Sequence, residues 1–400
     1  MRKKRILIIG QLPKEAGGTY TTGIARVVEN LYQKDFGNVE LFWYFTNVPH
    51  KVAKEKCQYE HQYNGYRKLP LQMLWSMVTK PVESIKAWRQ YKRAEVNPVR
   101  YEFYRANFAK VLSEVKPDLI HIHGAGLQPL YYANKQCGAP IIITFHGVMY
   151  NKEDVSSHHF LPTYLDQIKM ADYFTVLNGE TKRKALILGM PESKCTAIPN
   201  GVDTSRFYFS KEQRAKLRVE YGVSKDCLVF ITTGVVIDRK GQYDFLQVLE
   251  SMGVDYQYWI VGKGPDEQKI VEFVAERHLE DKVKMLGYVD GRELYKYLSA
   301  ADVYAHVSTT EGQALSEIEA YATGLRVIVR KEIKDTVIGD SANDRQNYYV
   351  LDMSHTNKET MKAWLNEGNG ERLSRGNYDW SLVARQYGEL YQKLLTTKEQ

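Results

Sequence analysis

The chain has 400 residues, of which 44% are hydrophobic and 26% charged, with a formal net charge of +7. A single hydrophobic core stops growing at roughly 250–300 residues, so we expect two domains, and this ordinary globular composition does not indicate a long disordered tract. The cysteines form no Cys-x-x-Cys pair, which disfavours a disulfide framework or a structural zinc site and fits a reducing compartment. They are Cys57, Cys137, Cys195 and Cys227.

The N-terminal segment MRKKRILIIG combines a basic start with a short apolar run. The run is shorter than the apolar part of a signal peptide and lacks a small-residue cleavage site, so we expect an opening β-strand and a cytoplasmic protein. No apolar stretch in the chain approaches the roughly 18 residues of a transmembrane helix. We therefore do not expect the chain to span a membrane.

Short apolar runs alternate with amphipathic stretches along the chain. The runs are RILIIG, VELFWYF, DLIHIH, PIIITFH, DYFTVLN and TAIPN in the first half, and CLVFITTG, YQYWIVG, KVKMLG, DVYAHVS and RVIVR in the second. Such runs are typical of parallel strands buried on both faces, and the stretches between them have helical spacing. The sequence therefore predicts an α/β fold of two doubly wound parallel sheets, with ligands at the carboxyl ends of the strands and a cleft between the domains.

The pattern repeats with a seam near residues 200–210. We predict an N-terminal Rossmann-like domain over 1–200, a C-terminal Rossmann-like domain over 201–380, and a final helix over 381–400 that packs back on the first domain. An aromatic and basic helical segment at about 66–107 is interpreted as an insertion in the N-terminal domain. Its charge would suit an anionic membrane, an acidic acceptor or nucleic acid, or would belong to a solvated helical face. No recognition helix or binding motif supports nucleic acid.

The stretch STTEGQALSEIEAYATGLRVIV begins at Ser308. A strand should end near Ser308 and a helix should start around 313–315, with Glu311 and Glu319 separated by seven residues and Glu317 between them. Unpaired amides and the positive dipole at a helix start suit a diphosphate, and Glu319 would accept hydrogen bonds from ribose hydroxyls. The alternative is a capped amphipathic helix with exposed glutamates.

This stretch resembles the Glu-x7-Glu signature of glycosyltransferase family 4, whose members have the GT-B fold of two facing Rossmann-like domains. The resemblance continues in order through IPNGVDTSRF, VVIDRKGQYDFL, WIVGKGPDEQKI and VKMLGYVDGRELYKYLSAADVYAHVSTTEG. In the first half it includes EAGGTYTTGIARVVENL, PDLIHIHGAG and ITFHGV. It covers nearly the whole chain and is weakest in the insertion.

The resemblance implies a catalytic set consisting of Glu311, His146 and Lys240. Lys240 would neutralise the donor diphosphate as its negative charge grows. Glu311 would hold the hydroxyls of the transferred sugar and support charge at the anomeric centre, and His146 would lie near the reacting sugar. The implied donor-binding residues are Gly17, Gly18, Arg239, Lys240, Gly262, Gly264, Glu311, Gly312, Gln313, Ala314, Leu315 and Glu319.

Four features are independent of that set or depart from the family pattern. His121 and His123 lie two residues apart on one strand face; a metal pair is one interpretation, but no suitably spaced carboxylate or third histidine follows, and packing or cleft lining is favoured. Val235 stands where many members have an arginine, so Arg239 is the candidate for the second positive charge. Arg326 replaces a usual proline, and the usual Gly-Gly loop is absent after it.

The chain has no Asp-x-Asp motif, so we expect no essential metal and no cofactor. The resemblance implies a retaining transfer from a nucleotide-sugar, with UDP-sugars favoured, to a glycan or lipid-linked acceptor in bacterial surface polysaccharide synthesis. The basic insertion suggests peripheral contact with an anionic membrane at the inner face of the cytoplasmic membrane. Two alternatives stay open: a related enzyme that uses water or phosphate as acceptor, and a catalytically silent subunit that binds a partner transferase. Val235 and the altered loop favour the silent subunit, whereas Glu311 and Glu319 disfavour it.

Overall fold

The computed structural model describes residues 2–12, 23–32, 34–46, 61–64, 70–93, 98–124, 137–338, 344–367 and 372–397. The chain divides into two compact units. The N-terminal unit comprises residues 1–198 and 383–400, and the C-terminal unit comprises residues 199–382. No helix among the described residues has both the length and the apolar character needed to cross a membrane.

The N-terminal unit is built on a parallel sheet of seven strands in the order β3-β2-β1-β4-β5-β6-β7. The strands are β1 (Lys4–Gln11), β2 (Val39–Thr46), β3 (Gln62–Asn64), β4 (Leu119–His123), β5 (Ile141–Phe145), β6 (Tyr173–Val176) and β7 (Cys195–Ala197). The helices are α1 (Gly23–Tyr32), α2 (Pro70–Thr79), α3 (Pro81–Arg93), α4 (Pro98–Val115), α5 (Leu161–Met170) and α6 (Gly179–Ile187).

The C-terminal unit is built on a parallel sheet of six strands in the order β10-β9-β8-β11-β12-β13. The strands are β8 (Leu228–Thr233), β9 (Tyr256–Val261), β10 (Val283–Gly287), β11 (Val303–His306), β12 (Arg326–Arg330) and β13 (Tyr348–Leu351). The helices are α7 (Lys211–Glu220), α8 (Gln242–Met252), α9 (Glu267–Glu276), α10 (Leu294–Ala300), α11 (Leu315–Ala322), α12 (Lys358–Asn366) and α13 (Trp380–Thr397), the last of which continues into the N-terminal unit.

The central strands carry the core of each unit. In β1 the side chains from Ile6 to Ile9 are completely buried, and in β8 those from Val229 to Ile231 are completely buried. A continuous apolar strand requires cover on both faces, which the flanking helices of a doubly wound sheet supply. The sequence-based prediction of parallel, doubly wound sheets is confirmed in both units.

Strand order fixes where a ligand would bind. Counted within the C-terminal unit, the order is 3-2-1-4-5-6, the order of Rossmann folds, and the direction of winding reverses between β8 and β11. Ligands of such sheets bind beyond the carboxyl ends of the two strands at that reversal. In this unit, those ends lead into the loops that begin at Gly234 and Val307.

Two edge strands, β3 and β13, are not predicted from the sequence. The three residues of β3 contain no apolar run, and β13 has only four residues. The run TAIPN contributes only its first two residues to β7. Short edge strands are the elements that hydrophobic patterning detects least well, because only pairing with a neighbour defines them.

Helix α13 supplies aromatic side chains to the N-terminal unit. The rings of Tyr391 and Phe36 are stacked with centroids 6.0 Å apart, and both side chains are buried. Gly388 lies against the backbone of Phe36, so that a Cβ atom at Gly388 would lie 2.1 Å from the Phe36 carbonyl oxygen. The final helix is therefore part of the core of that unit at its C-terminal end.

Candidate active site

In the C-terminal unit, the loops after β8 and β11 are joined by backbone contacts. Thr309 N donates to the carbonyl oxygen of Arg239 at 2.8 Å, and the Arg239 guanidinium donates to the carbonyl oxygen of Thr310 at 2.9 Å. Gly241 has a φ of +69°, and a Cβ atom there would lie 2.2 Å from the Val307 carbonyl oxygen. Glycine at 241 thus permits the close approach that brings the Lys-Gly turn beside the signature loop.

The two loops bring the side chains of a lysine and a glutamate into hydrogen-bond contact. Lys240 Nζ donates to Glu311 Oε1 at 2.5 Å, and Arg239 Nη1 lies 3.3 Å from the same oxygen. The side chains of Lys240 and Glu311 are 17% and 13% exposed. Burial alone would raise the pKa of Glu311, but the charge of Lys240, with its hydrogen bond and one from Ser308, brings that pKa below its usual value.

Two further glycines shape the same edge of the sheet. Gly262 follows β9 with a φ of +133°, and a Cβ atom there would lie 1.8 Å from the carbonyl oxygen of Gly234. A Cβ atom at Gly264 would lie 2.0 Å from the carbonyl oxygen of Val236. The turn after β9 therefore packs backbone to backbone on the loop after β8.

Helix α11 begins beside the Lys240–Glu311 pair, and its N-cap, Ala314, supplies no side-chain hydrogen bond. The helix starts where the sequence predicted. Gln313 is held by Asn200, whose backbone N donates to Gln313 Oε1 at 2.7 Å. Glu319 lies in the second turn with 5% of its surface exposed. The interpretation of α11 as a surface helix with exposed glutamates is wrong, since Glu317 is fully buried as well.

His306 is a residue of this region that sequence reasoning missed. It ends β11, is 3% exposed, and its Nε2 has no hydrogen-bond partner among the described residues. Burial lowers the pKa of His306 to about 4, with the charge of Glu311 acting in the opposite direction and that of Lys240 in the same one. A histidine inside the otherwise apolar run DVYAHVS was the available signal.

In the N-terminal unit, His146 follows β5 and contacts His123 at the end of β4. The Nε2 atom of His146 lies 3.1 Å from Nδ1 of His123, and the two share one hydrogen bond. Burial lowers the pKa of His146 to about 4 and that of His123 well below its usual value, so both imidazoles are neutral at pH 7. The hydrogen bond couples the two tautomers. If His123 Nδ1 donates, His146 Nε2 accepts and His146 carries its proton on Nδ1; if His146 Nε2 donates, His123 carries its proton on Nε2.

His121 lies on the same strand as His123 and has a hydrogen-bond partner at each ring nitrogen. Its Nδ1 lies 2.6 Å from Tyr391 Oη, and its Nε2 lies 2.7 Å from Thr144 Oγ1. The His121 and His123 rings are 4.2 Å apart, and burial lowers the pKa of His121 to about 3. Both ring nitrogens of His121 are therefore engaged by protein groups inside the N-terminal unit. The described residues contain no group of three or more side chains suited to hold a metal ion.

The other residues singled out in the sequence have varied positions. Gly17 and Gly18 lie outside the described residues. Val235 is 42% exposed and contributes no charge at the end of β8. Arg326 stacks over the Trp364 ring at 3.6 Å and donates to the carbonyl oxygens of Gln346 and Leu365, so it ties β12 to α12. The structure thus brings together Arg239, Lys240, Glu311, the glycine turn after β9 and the start of α11, and it describes His146 within the other unit.

Two family models match the chain. "Glycosyl transferases group 1" matches residues 213–352 and "Glycosyltransferase Family 4" matches residues 83–206. Among similar proteins, the alpha-monoglucosyldiacylglycerol synthase of Acholeplasma laidlawii is 24% identical over 63% of this chain and 68% of its own length. The amylovoran biosynthesis glycosyltransferase AmsK of Erwinia amylovora is 24% identical over 47% of this chain. The match covers only 46% of AmsK, less than half of that relative.

Solved structures agree on the fold over the whole length. The crystal structure of Anabaena Alr3699/HepE in complex with UDP superimposes with a TM-score of 0.70 at 16% identity, covering 97% of this chain and 100% of that one. The two parallel-sheet, Rossmann-like units are therefore those of the GT-B fold.

Proposed function

Because this chain belongs to glycosyltransferase family 4, we propose that it transfers a sugar from a UDP-sugar to a hydroxyl of a glycan or lipid-linked glycan. The transfer retains the anomeric configuration and needs no essential metal or cofactor. We place the reaction at the inner face of the cytoplasmic membrane, in the synthesis of a bacterial surface polysaccharide. The names of its relatives, a glycolipid synthase and an amylovoran biosynthesis glycosyltransferase, support that setting.

The observation that carries this proposal is the Lys240–Glu311 pair at the winding reversal of the C-terminal sheet. A donor phosphate would form an ion pair with Lys240 in place of Glu311. The Glu311 carboxylate would then accept hydrogen bonds from the sugar hydroxyls. Arg239, 3.3 Å from the same carboxylate oxygen, supplies the second positive charge that Val235 does not. The backbone amides from Gly312 to Leu315 and the dipole of α11 would add to phosphate binding.

The proposed chemistry uses the donor's own phosphate as a base. The bond between the anomeric carbon and the phosphate oxygen breaks, and the acceptor oxygen bonds to that carbon on the same face. The acceptor proton passes to the departing phosphate oxygen. Lys240 and Arg239 offset the charge that develops on this phosphate, and a positioned donor of this kind is worth roughly 10²–10³ in rate.

Residues of both units take part in this proposal. Neutral His146, held by His123, would hydrogen-bond a hydroxyl of the transferred sugar, and Gly17 and Gly18 would admit the diphosphate and acceptor closely. Glu319 would bind the ribose. Peripheral contact with an anionic membrane, through the basic insertion, would bring a lipid-linked acceptor to the N-terminal unit.

The test is nucleotide release from a panel of UDP-, GDP- and ADP-sugars, comparing the wild type with Glu311→Ala. Slow hydrolysis of the donor requires no knowledge of the acceptor. Release from a UDP-sugar that the variant loses would support the proposal and identify the sugar, and product analysis by NMR would report the anomeric configuration. Glu276→Ala, an exposed glutamate on α9, is the matched control.

Three outcomes would overturn parts of the proposal. Release that depends on added divalent metal, or that starts from a GDP- or ADP-sugar, would contradict the metal-independent or the uridine assignment. If calorimetry detects no binding of any of these nucleotides to the wild type, the silent-subunit interpretation replaces the enzymatic one.

A further inference from the structure

Large apolar side chains are exposed where α2 ends and α3 begins. They are Leu74, Trp75, Met77, Val78, Val82 and Ile85, and we call these six residues the helical tip. Trp75 is 71% exposed and Val78 is 73% exposed. Soluble monomers rarely expose a cluster of apolar side chains of this size, so the cluster marks an interaction surface.

The tip is a defined turn between two helices. A single residue, Lys80, separates α2 from α3, and Pro81 opens α3 with the backbone angle that a first helical residue needs. Thr79 Oγ1 donates to the Trp75 carbonyl oxygen at 2.8 Å, and Ser84 N donates to the Lys80 carbonyl oxygen at 3.0 Å. Both helices contact α4, so the tip is presented from a packed base.

Cationic side chains continue the exposed face beyond the tip. Ile85 and Lys86 follow Val82 by three and four residues, and Arg89 follows them by four and three, which is the spacing of one face of a helix; all four are exposed. Across residues 70–93 the sequence contains five basic residues and one acidic residue. The acidic residue, Glu83, lies 3.8 Å from the Lys80 ammonium, so the segment keeps an excess of positive charge.

We propose that the helical tip inserts into the headgroup and upper acyl region of an anionic lipid bilayer, with Lys86 and Arg89 on the surrounding phosphates. Apolar side chains with an aromatic member, flanked by cations, match a layer that is apolar below and negatively charged above. The ten residues of α2 rise about 15 Å, half of the roughly 30 Å hydrocarbon core, so the helix is too short to cross the bilayer.

This inference rests on the proposed function in one respect: the membrane is where a lipid-linked acceptor would be found. Binding to vesicles, however, requires neither donor nor acceptor. Vesicle binding and nucleotide release therefore fail independently, and either result identifies which proposal is wrong.

The experiment is flotation of the full chain with vesicles of phosphatidylcholine alone or of equal parts phosphatidylcholine and phosphatidylglycerol. We expect binding to the anionic vesicles, and a loss of partitioning of about tenfold or more in Trp75→Ser/Val78→Ser, since two exposed apolar side chains no longer leave water. Lys86→Gln/Arg89→Gln should remove the preference for anionic vesicles and its salt sensitivity. Ile187→Ser/Val219→Ser, which changes two exposed apolar side chains elsewhere, should bind as the wild type does.

A second readout places the tip in the bilayer directly. Brominated lipids should quench part of the tryptophan fluorescence of the wild type, and that part should fall in Trp75→Phe, which keeps the apolar contact. A thermal unfolding midpoint equal to that of the wild type would establish that Trp75→Ser/Val78→Ser folds. Absence of wild-type flotation, or equal losses in the tip and control variants, would overturn the proposal. Concentration-dependent dimerisation that only the tip variant loses would assign the surface to a second copy of this chain instead.

Discussion

Tyr348 Oη lies 2.8 Å from Glu317 Oε1 and 2.5 Å from the carbonyl oxygen of Ile338, while Ile338 N donates to Glu317 Oε2. One hydroxyl proton cannot serve two acceptors fully. The Tyr348 hydroxyl, the Glu317 carboxyl and the amide and carbonyl of Ile338 are all satisfied in one arrangement. In it, Tyr348 donates to the Ile338 carbonyl oxygen and a protonated Glu317 donates to the Tyr348 oxygen. Burial accordingly raises the pKa of Glu317 to about 8, against the opposing effect of its two hydrogen bonds.

The first prediction concerns stability against pH in Glu317→Gln. A carboxyl whose pKa is raised in the fold binds more proton folded than unfolded, so wild-type stability should fall as pH rises from about 4.5 through 8, by on the order of a few kcal/mol. The glutamine amide mimics the neutral acid and removes this dependence. Urea denaturation at pH 6 and pH 9 measures it, with Glu276→Gln as the control, and parallel losses in all three proteins would contradict the protonated state.

The second prediction concerns Lys240→Gln. If the ammonium offsets charge on the departing phosphate, kcat for donor hydrolysis should fall by about 10²–10³ while KM changes less. Stability should decrease by roughly 1–3 kcal/mol, because the largely buried Glu311 keeps only Arg239 as its cation. Lys269→Gln removes a more exposed lysine that pairs with Asp238 and should leave kcat unchanged. Equal kcat values for Lys240→Gln and the wild type would rule out this role.

The third prediction concerns His146. Its pKa of about 4 keeps the ring neutral from pH 6 to pH 8, so kcat should not titrate with a histidine in that range. His146→Ala should lower kcat by roughly 10²-fold through loss of a hydrogen bond to the sugar. His159→Ala, an exposed histidine of the same unit, serves as the control. A rate that rises or falls around pH 6.5 in the wild type, and not in His146→Ala, would show a titrating His146 and contradict the neutral ring.

The fourth prediction concerns Gly262→Ala. A Cβ atom 1.8 Å from the Gly234 carbonyl oxygen, at a φ of +133°, cannot be accommodated without moving the loop after β8. We expect a loss of about 2–4 kcal/mol in unfolding free energy and weaker nucleotide binding. Gly179→Ala, with nothing within 4 Å of its Cβ position, should be neutral or slightly stabilising. Thermal melts with and without UDP distinguish the two variants, and a Gly262→Ala protein as stable as the wild type would show that the loop gives way freely.

The sequence by itself determined the architecture, because buried parallel strands must be continuously apolar and the helices between them amphipathic. β1 and β8 could be recognised from RILIIG and CLVFITTG alone. The order of motifs also determined the family, and the start of α11 followed from the polar turn before it. These are local features, encoded within a few consecutive residues.

Only the tertiary structure decided which side chains meet. Lys240 and Glu311 are 71 residues apart, and their 2.5 Å contact depends on two loops that Gly241 allows to touch. Glu317 was indistinguishable from a surface glutamate until Tyr348 and Ile338, from other segments, enclosed it. Long-range contact and burial set the charge state of a carboxyl, since desolvation and hydrogen bonding come from residues that sequence spacing does not bring together.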